Sequence, residues 1–212
     1  MIEILFEDEY CIVVNKPPNV LTVPSKESTE KTNLMFTLRD QIDSYLYPIH
    51  RLDRQTSGIV LFGKTKEFVR KMKEIWNTDQ VEKYYTTIVE YINLEADEYN
   101  FELKSEKGIF QEARTSFRPL KHLKTCTLLE VQIFTGRRHQ IRRHFGRRMR
   151  NVIGDRNYGK KRINDYYRDN FGLQRLFLHS HKFRFYHPIA DKFILIECPL
   201  YEDLQLVLDK LE

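Results

Sequence analysis

Residues 50–62 read HRLDRQTSGIVLF. One carboxylate, Asp53, stands between two guanidinium groups, Arg51 and Arg54. The small residues Thr56, Ser57 and Gly58 follow, then the unbroken apolar run Ile59-Val60-Leu61-Phe62. That run is short and bounded by a small-residue turn, so it reads as a buried strand. A neighbouring guanidinium favours the ionised form of a carboxylate at neutral pH. An ionised aspartate can act as nucleophile or electrostatic stabiliser and is a poor general acid. Taken alone, the cluster fits a surface ion pair better than a site, so its meaning depends on the rest of the chain.

Outward from that strand, Cys11–Val14 reads as a second strand, stopped at Asn15-Lys16-Pro17-Pro18, because proline ends a ladder or a helix. Leu34, Leu38, Ile42, Tyr45 and Leu46 recur at helical spacing and predict a helix over about 33–46. Thr65 can cap a helix whose apolar stripe is Phe68, Val69, Met72, Ile75 and Trp76, a core-facing pattern. Residues 83–92, KYYTTIVEYI, are β-branched and aromatic and predict a strand. Thr127, Leu129, Val131 and Ile133 alternate with more polar neighbours, so 126–134 predicts another. It runs into the turn Thr135-Gly136-Arg137 and a helix from about His139. Phe183–Tyr186 and Phe193–Glu197 flank His187-Pro188 as a hairpin. From Tyr201 onward, Leu204, Val207, Leu208 and Leu211 predict a closing helix, with Glu202 and Asp203 in its favourable first turn. Long strands, few helices and no repeated βαβ unit imply an α+β (mixed α/β) domain.

The bulk composition narrows the class. The chain has 212 residues, 41% apolar and 31% charged, as in an ordinary globular protein and unlike a disordered one. No apolar run approaches the roughly 20 residues of a membrane span. The first residues, MIEILFEDEY, carry acids and no basic region, so no secretory signal is expected. The three cysteines, Cys11, Cys126 and Cys198, are far apart and fit buried thiols in a reducing cytoplasm. The net charge of +5 is concentrated: Val131–Gly154 holds seven arginines and no acid or lysine. Without that segment 28 Lys and Arg face 30 Asp and Glu, a net of −2. A focused basic patch suits a polyanion partner, although a solvated helix face fits a basic run equally well.

The segment TGRRHQIRRHFGRRMR (135–150) supplies most of that charge. On a helix beginning near His139, Arg138 and Arg142 lie one turn apart, as do His139 and Arg143, while Ile141 and Phe145 face the core. Gln140 can read polar groups. Arginine suits such a surface because its planar fork matches phosphate and carboxylate. Tyr84 and Tyr85 offer a stacking face and a phenol, a weak signal on its own. The seven histidines show no ligand spacing with a carboxylate or cysteine, so no metal is expected. Phosphate-cradling glycine loops and a nucleophile elbow are also absent from the sequence.

Together these segments resemble the RluA-type pseudouridine synthases, nearly end to end. VVNKPPNVLTV (13–23) is similar to the family's opening strand and Lys-Pro turn, and HRLDRQTSGIVLF to its catalytic motif. VEKYYTTIV resembles the strand of its active-site tyrosine, with the register from Lys83 pointing to Tyr85. FTGRRHQIRRHF resembles its Thr-Gly-Arg…His-Gln-Ile-Arg motif, and IGDRNYG and LFLHSHKFRFYHP its closing motifs. The short length, LRDQI and GRRHQIRRHF are most similar to the tRNA-specific TruC subgroup, which implies a uridine on the T-arm side (uridine 65).

The resemblance implies a large, mostly antiparallel mixed sheet flanked by helices around a central catalytic cleft. It implies a single catalytic domain over 1–212 without an S4 RNA-binding domain. Asp53 would be the essential aspartate. Tyr85 would stack on the target uracil and serve proton removal at C5, and Arg142 would pair with Asp53 and hold it ionised. Arg51 would fill the space left by the flipped base, and Leu178 would pack beneath the tyrosine. Substrate contacts would come from Lys16, Arg54, Thr56, Ser57 and Gly58, and from Arg137, His139, Gln140 and His179. The small residues Thr56, Ser57 and Gly58 would let the RNA come close. Arg138, Arg143, Arg147, Arg148 and Arg150 would follow the RNA backbone. No cofactor or metal is implied, and the protein would be a cytoplasmic monomer acting on tRNA, alternatively on rRNA.

Some features depart from the family pattern: Pro18-Asn19 after Lys-Pro, Thr86-Thr87 beside the tyrosine and Ser180 in the closing motif. A non-catalytic RNA binder is the second reading, and the intact Asp53, Tyr85 and Arg142 argue against it. A glycoside hydrolase is the third, but it would need a second carboxylate, and none stands near Asp53 in its motif.

Overall fold

A computed structural model describes residues 1–24 and 32–212. In chain order the elements are β1 (Glu3–Glu7), β2 (Cys11–Lys16), α1 (Leu34–Ile42), β3 (Tyr47–Pro48), β4 (Ser57–Gly63) and α2 (Lys66–Ile75). Then come β5 (Val81–Val89), β6 (Asp97–Tyr99), β7 (Leu103–Lys104), β8 (Phe110–Gln111), β9 (Thr115–His122) and β10 (Thr127–Ile133). The last are α3 (Gln140–Arg147), α4 (Lys161–Phe171), β11 (Leu178–His187), β12 (Lys192–Glu197) and α5 (Glu202–Leu211). They gather into two compact units. Unit 1 is Met1–Glu82 with Ser180–Pro199, and unit 2 is Lys83–His179 with Leu200–Glu212.

In unit 1, β2 lies antiparallel to β1 on one side and to β4 on the other, with Lys16 opposite Gly58. Every residue of β4 is buried, as its apolar run predicts. Beyond β4 lies β11, which pairs antiparallel with β12 from Lys182↔Glu197 to His187↔Lys192. The expected hairpin is there. Cys11, Val13, Ile59, Leu61, Phe68, Met72, Phe183 and Phe185 form the core of the unit. The Thr65 side chain caps α2 by accepting the Phe68 N–H at 3.2 Å. α1 stops at Ile42, four residues short of the expected end. Asp43 takes a left-handed conformation (φ 48°) and its N–H returns to the Arg39 carbonyl. Tyr45 is then exposed while Leu46 is buried, so helical spacing continued past the end of the helix.

Unit 2 has the strand order β5-β10-β9-β6, with all registers antiparallel. Tyr85 stands opposite Val131, and Val131 opposite Phe117. β7 and β8 form a separate small hairpin. β5 ends at Val89, not at residue 92. The Glu90 N–H goes to the Asn151 carbonyl at 2.9 Å and the Tyr91 N–H folds back to Val89 at 2.8 Å, which leaves Tyr91 and Ile92 exposed. The core of this unit includes Ile88, Leu128, Ile153, Phe177 and, from α5, Leu204, Val207, Leu208 and Leu211. Within residues 155–175 the chain forms α4, anchored by Tyr167 in the same core and by its hydroxyl on Thr125 at 2.8 Å. All three cysteines are buried and outside any disulfide, and no helix among the described residues is long and apolar enough to cross a membrane.

Candidate functional site

The HRLDR loop of unit 1 is tied down through its main chain. Thr22 Oγ1 accepts the Leu52 N–H at 3.1 Å and donates to the Leu52 carbonyl at 3.0 Å. The Thr56 N–H closes a turn onto the Asp53 carbonyl at 3.1 Å. The Lys16 ammonium donates to the carbonyls of Pro17, Val20 and Arg54 at 2.8, 2.8 and 3.1 Å. Arg54 Nε donates to the Asn19 carbonyl at 3.1 Å, so the Lys-Pro turn and the HRLDR loop are stitched together. His50 Nε2 accepts the Leu61 N–H at 2.9 Å. Asp53 therefore rides, half-buried, on a fixed loop, with Arg51 and Arg54 exposed beside it.

Two expectations change here. Lys16 is fully buried and works as a strut between loops, although the sequence suggested a substrate contact. Thr56, Ser57 and Gly58 are buried as well and do not form an open shelf for RNA. Gly58 (φ +107°) is needed for a different close approach: a Cβ there would lie 2.2 Å from the Ser180 carbonyl oxygen.

In unit 2, β10 delivers the Thr135–Arg138 turn and α3. His139 takes φ 52° at the helix start, and its Nδ1 meets the Tyr158 hydroxyl at 3.0 Å. Gln140 is buried. Its Oε1 accepts from Thr135 Oγ1 and the Arg137 N–H, at 2.8 and 3.0 Å, and its Nε2 donates to the Arg114 carbonyl and Thr115 Oγ1, both at 2.9 Å. Its hydrogen-bonding capacity goes to holding the turn, so the expectation that Gln140 reads substrate is corrected.

Arg142 is buried, and its Nε and Nη2 bond Asp155 Oδ2 and Oδ1 at 2.7 and 2.9 Å. Burial pushes the Asp155 carboxyl up. The Arg142 fork and the N–H groups of Asn157 and Tyr158 outweigh it, and the group ends below the usual carboxylate range. Asp155 is the residue that sequence reasoning missed. It lies in IGDRNYG, yet its bond to Arg142 leaves no spacing signal.

The remaining arginines are dressed by residues 97–112. Arg137 Nε donates to the Glu112 carbonyl at 2.8 Å, Arg143 Nη2 to Lys104 at 2.9 Å and Arg147 Nη1 to Glu102 at 2.9 Å. Arg138 pairs with Glu106, and Arg150 donates to the Tyr99 hydroxyl at 2.8 Å. Arg148 lies over the rings of Tyr99 and Phe101, 5.6 and 5.5 Å from their centroids. These groups keep their charge for a phosphate, but they also clamp their own protein. Tyr85, Leu178 and His179 are buried, His179 edge-on to Tyr201. Two residues before Tyr85, and so on the same strand face, Lys83 is buried, and desolvation brings its ammonium down to about 8.

In unit 1, Asp8, Cys11 and His187 bring three possible ligand atoms within 4.8 Å of one another. His187 Nδ1 accepts the Ala190 N–H at 2.9 Å, so Nε2 carries the proton and faces Asp8 Oδ2 at 3.1 Å. Asp8 Oδ1 accepts the N–H groups of Tyr10 and Cys11, each at 2.8 Å. A metal would have to displace that proton onto an occupied nitrogen, so the trio is a polar lock and does not fit a metal site.

Residues 10–146 match the profile of the family described as RNA pseudouridylate synthase. A tRNA pseudouridine synthase C from Vibrio cholerae is 34% identical over 233 residues, covering 99% of this chain and 96% of the relative. Its counterpart from Haemophilus influenzae is 32% identical, covering 99% and 98%. Among solved structures, human RNA Pseudouridylate Synthase Domain Containing 4 aligns with a TM-score of 0.80 at 21% identity, over 99% of this chain and 92% of the other. At that identity the structural likeness speaks for the fold, and the profile and curated relatives for the lineage: the chain belongs to the RNA pseudouridylate synthase family.

Proposed function

We propose that this protein isomerises a uridine of tRNA to pseudouridine, with Asp53, Tyr85 and Arg142 as its catalytic groups. The observation that carries the reading is the likeness, along nearly the whole chain, to proteins named tRNA pseudouridine synthase C. The target we take from the resemblance is uridine 65, and the protein acts as a cytoplasmic monomer with one catalytic domain over 1–212.

Isomerisation breaks the bond from C1′ to N1 and makes one from C1′ to C5 of the same uracil. Nothing is oxidised and no group leaves, so the chemistry requires no cofactor. The base must leave its stack, at a cost of a few kcal/mol. An ionised Asp53 then forms an ester at C1′ or takes the C2′ proton. The freed uracil turns, rejoins through C5 and loses the C5 proton with help from the Tyr85 phenol. Asp155 occupies one edge of the Arg142 fork. The reading gives the other edge to Asp53, whose ionised form it favours.

The test is pseudouridine mapping across total RNA from a strain lacking the protein. One tRNA pseudouridine is expected to vanish, to return with the wild-type gene and to stay absent with Asp53→Asn. Purified Asp53→Asn is expected to retain its tRNA affinity. Loss of an rRNA site, or of none, overturns the tRNA reading, and activity in Asp53→Asn overturns the role of the carboxylate.

A further inference from the structure

We propose that the groove along α4 is a second phosphate subsite for the RNA backbone, distinct from the arginine helix α3. The proposal rests on the RNA-substrate reading above. The groove, about 400 Å³, lies within unit 2. One wall is a single face of α4, with Lys161, Asn164, Asp165 and Arg168 at helical spacing; Arg156 and Arg175 face it from the flanking segments. Arg175 is already used, in two bonds to Asp203 at 2.6 and 2.8 Å. Arg168 is committed as well, to Asp165 at 2.6 Å and to both oxygens of Asp169 at 2.9 and 3.2 Å, which leaves Arg156 and Lys161 as the cations that a phosphate can recruit.

The state of these cations sets them apart from those of α3. The guanidinium groups of Arg137, Arg143 and Arg147 end on carbonyls of residues 102–112. Arg156 is exposed and makes one long contact, 3.5 Å to the Gln174 carbonyl. The Lys161 side chain is 90% exposed and, among the described residues, is held only by the i,i+4 carboxylate of Asp165. Such a surface pair contributes little, so an RNA phosphate can take the ammonium at small cost.

The floor is preformed. Asn164 Oδ1 accepts the Gly154 N–H at 2.9 Å and its Nδ2 donates to the Asp155 carbonyl at 2.8 Å. A Cβ on Gly154 would lie 2.1 Å from the Arg175 carbonyl oxygen, and one on Gly159 2.4 Å from that of Asp155. A rigid floor limits the ordering cost of binding to the side chains of the exposed cations. The same Asp155 whose carbonyl forms this floor holds Arg142 with its carboxylate, so RNA seated here presses on the residue that orients the proposed catalytic arginine.

The test is tRNA binding by the full chain across a salt series. Arg156→Glu with Lys161→Glu is expected to weaken binding about 10-fold and to flatten the log K against log salt slope by about 1.5, the yield of two lost phosphate contacts. Arg156→Gln with Lys161→Gln, which adds no new charge, is expected to fall between that pair and wild type. The control is Lys66→Glu with Lys73→Glu on exposed positions of α2, the same change in net charge. It is expected to leave the slope alone. Wild-type slope and affinity in both groove variants, or equal weakening by the α2 control, overturn the subsite while leaving the RNA reading intact. A wild-type protein that binds no tRNA overturns both.

Discussion

Arg142 and Asp155 lie thirteen positions apart and meet through two hydrogen bonds with both side chains almost dry. Removing one member of such a pair strands a buried charge. Asp155→Asn is therefore expected to destabilise the protein by about 3 kcal/mol in a urea melt. If Arg142 is the catalytic group proposed above, the same change should also lower kcat for pseudouridine formation more than it raises KM. A melt and a kcat equal to wild type would remove Asp155 from both roles. His144 makes a different prediction. It is fully buried on α3, facing the rings of Tyr99 and Phe101 with Arg143 and Arg147 beside it. Desolvation lowers its pKa from 6.5 to about 4. The neutral form is the folded form, so its contribution is fully present above pH 6.5 and drains away as pH falls toward 4. At about 1.4 kcal/mol per pKa unit this is at most about 3 kcal/mol. His144→Phe is expected to flatten the stability profile between those two values; an unchanged slope in pH-dependent unfolding assigns the loss to other groups. Legibility at this scale divided along a physical line. Asp53, Tyr85 and Arg142 came forward only through the resemblance of their motifs, because alone Asp53 fits a surface ion pair and a tyrosine on a strand is a weak signal. Lys16 and Gln140 could not be sorted from ligand contacts, because a polar side chain in a motif looks the same whether its partner is RNA or its own backbone.

Elements with strong periodicity were read well, and their ends were not. The Phe68–Trp76 stripe and the Leu204–Leu211 stripe both fall on helices. The end of α1 was lost because Asp43 turns left-handed while the apolar spacing continues through Leu46. α4 is not among the helices read from the sequence, although Ile163, Tyr167 and Phe171 recur every four residues and Gly172 (φ +82°) closes it. Its many charges masked a stripe only three residues long. Gly58 gives the sharpest element-scale test. It is the second residue of β4, at φ +107°, with the Ser180 backbone where a Cβ would stand, and backbone atoms cannot swing aside as a side chain does. Gly58→Ala is expected to cost more than about 2 kcal/mol, combining the strained φ with a forced shift of β11. A thermal melt within a degree or so of wild type would mean that the strands can separate there without penalty.

Over the whole molecule the positive charge belongs to one unit. Unit 2 carries 21 Lys and Arg against 15 Asp and Glu, a net of +6, while unit 1 holds the remaining 14 and 15, a net of −1. The sequence located the excess in 131–154, but composition cannot tell how much of that charge remains open to a phosphate. The structure spends much of it on residues 97–112, a segment with five acids whose carbonyls and aromatic rings meet the arginines of α3. The two basic faces should therefore fail differently. Arg147→Ala with Arg148→Ala removes a carbonyl bond and three ring contacts along with two charges. A stability loss of about 1–2 kcal/mol is expected from those contacts. The tRNA salt slope should flatten by about 1, less than two fully committed phosphate contacts would give. The groove pair Arg156 and Lys161, with its looser surroundings, should change affinity and slope while leaving the melt near wild type. Measuring melt and salt slope on the same samples separates the cases. If the α3 double variant shifts only its slope, the ring and carbonyl contacts add nothing to the fold. If it shifts only its melt, α3 is scaffold, and the RNA backbone runs along α4 alone.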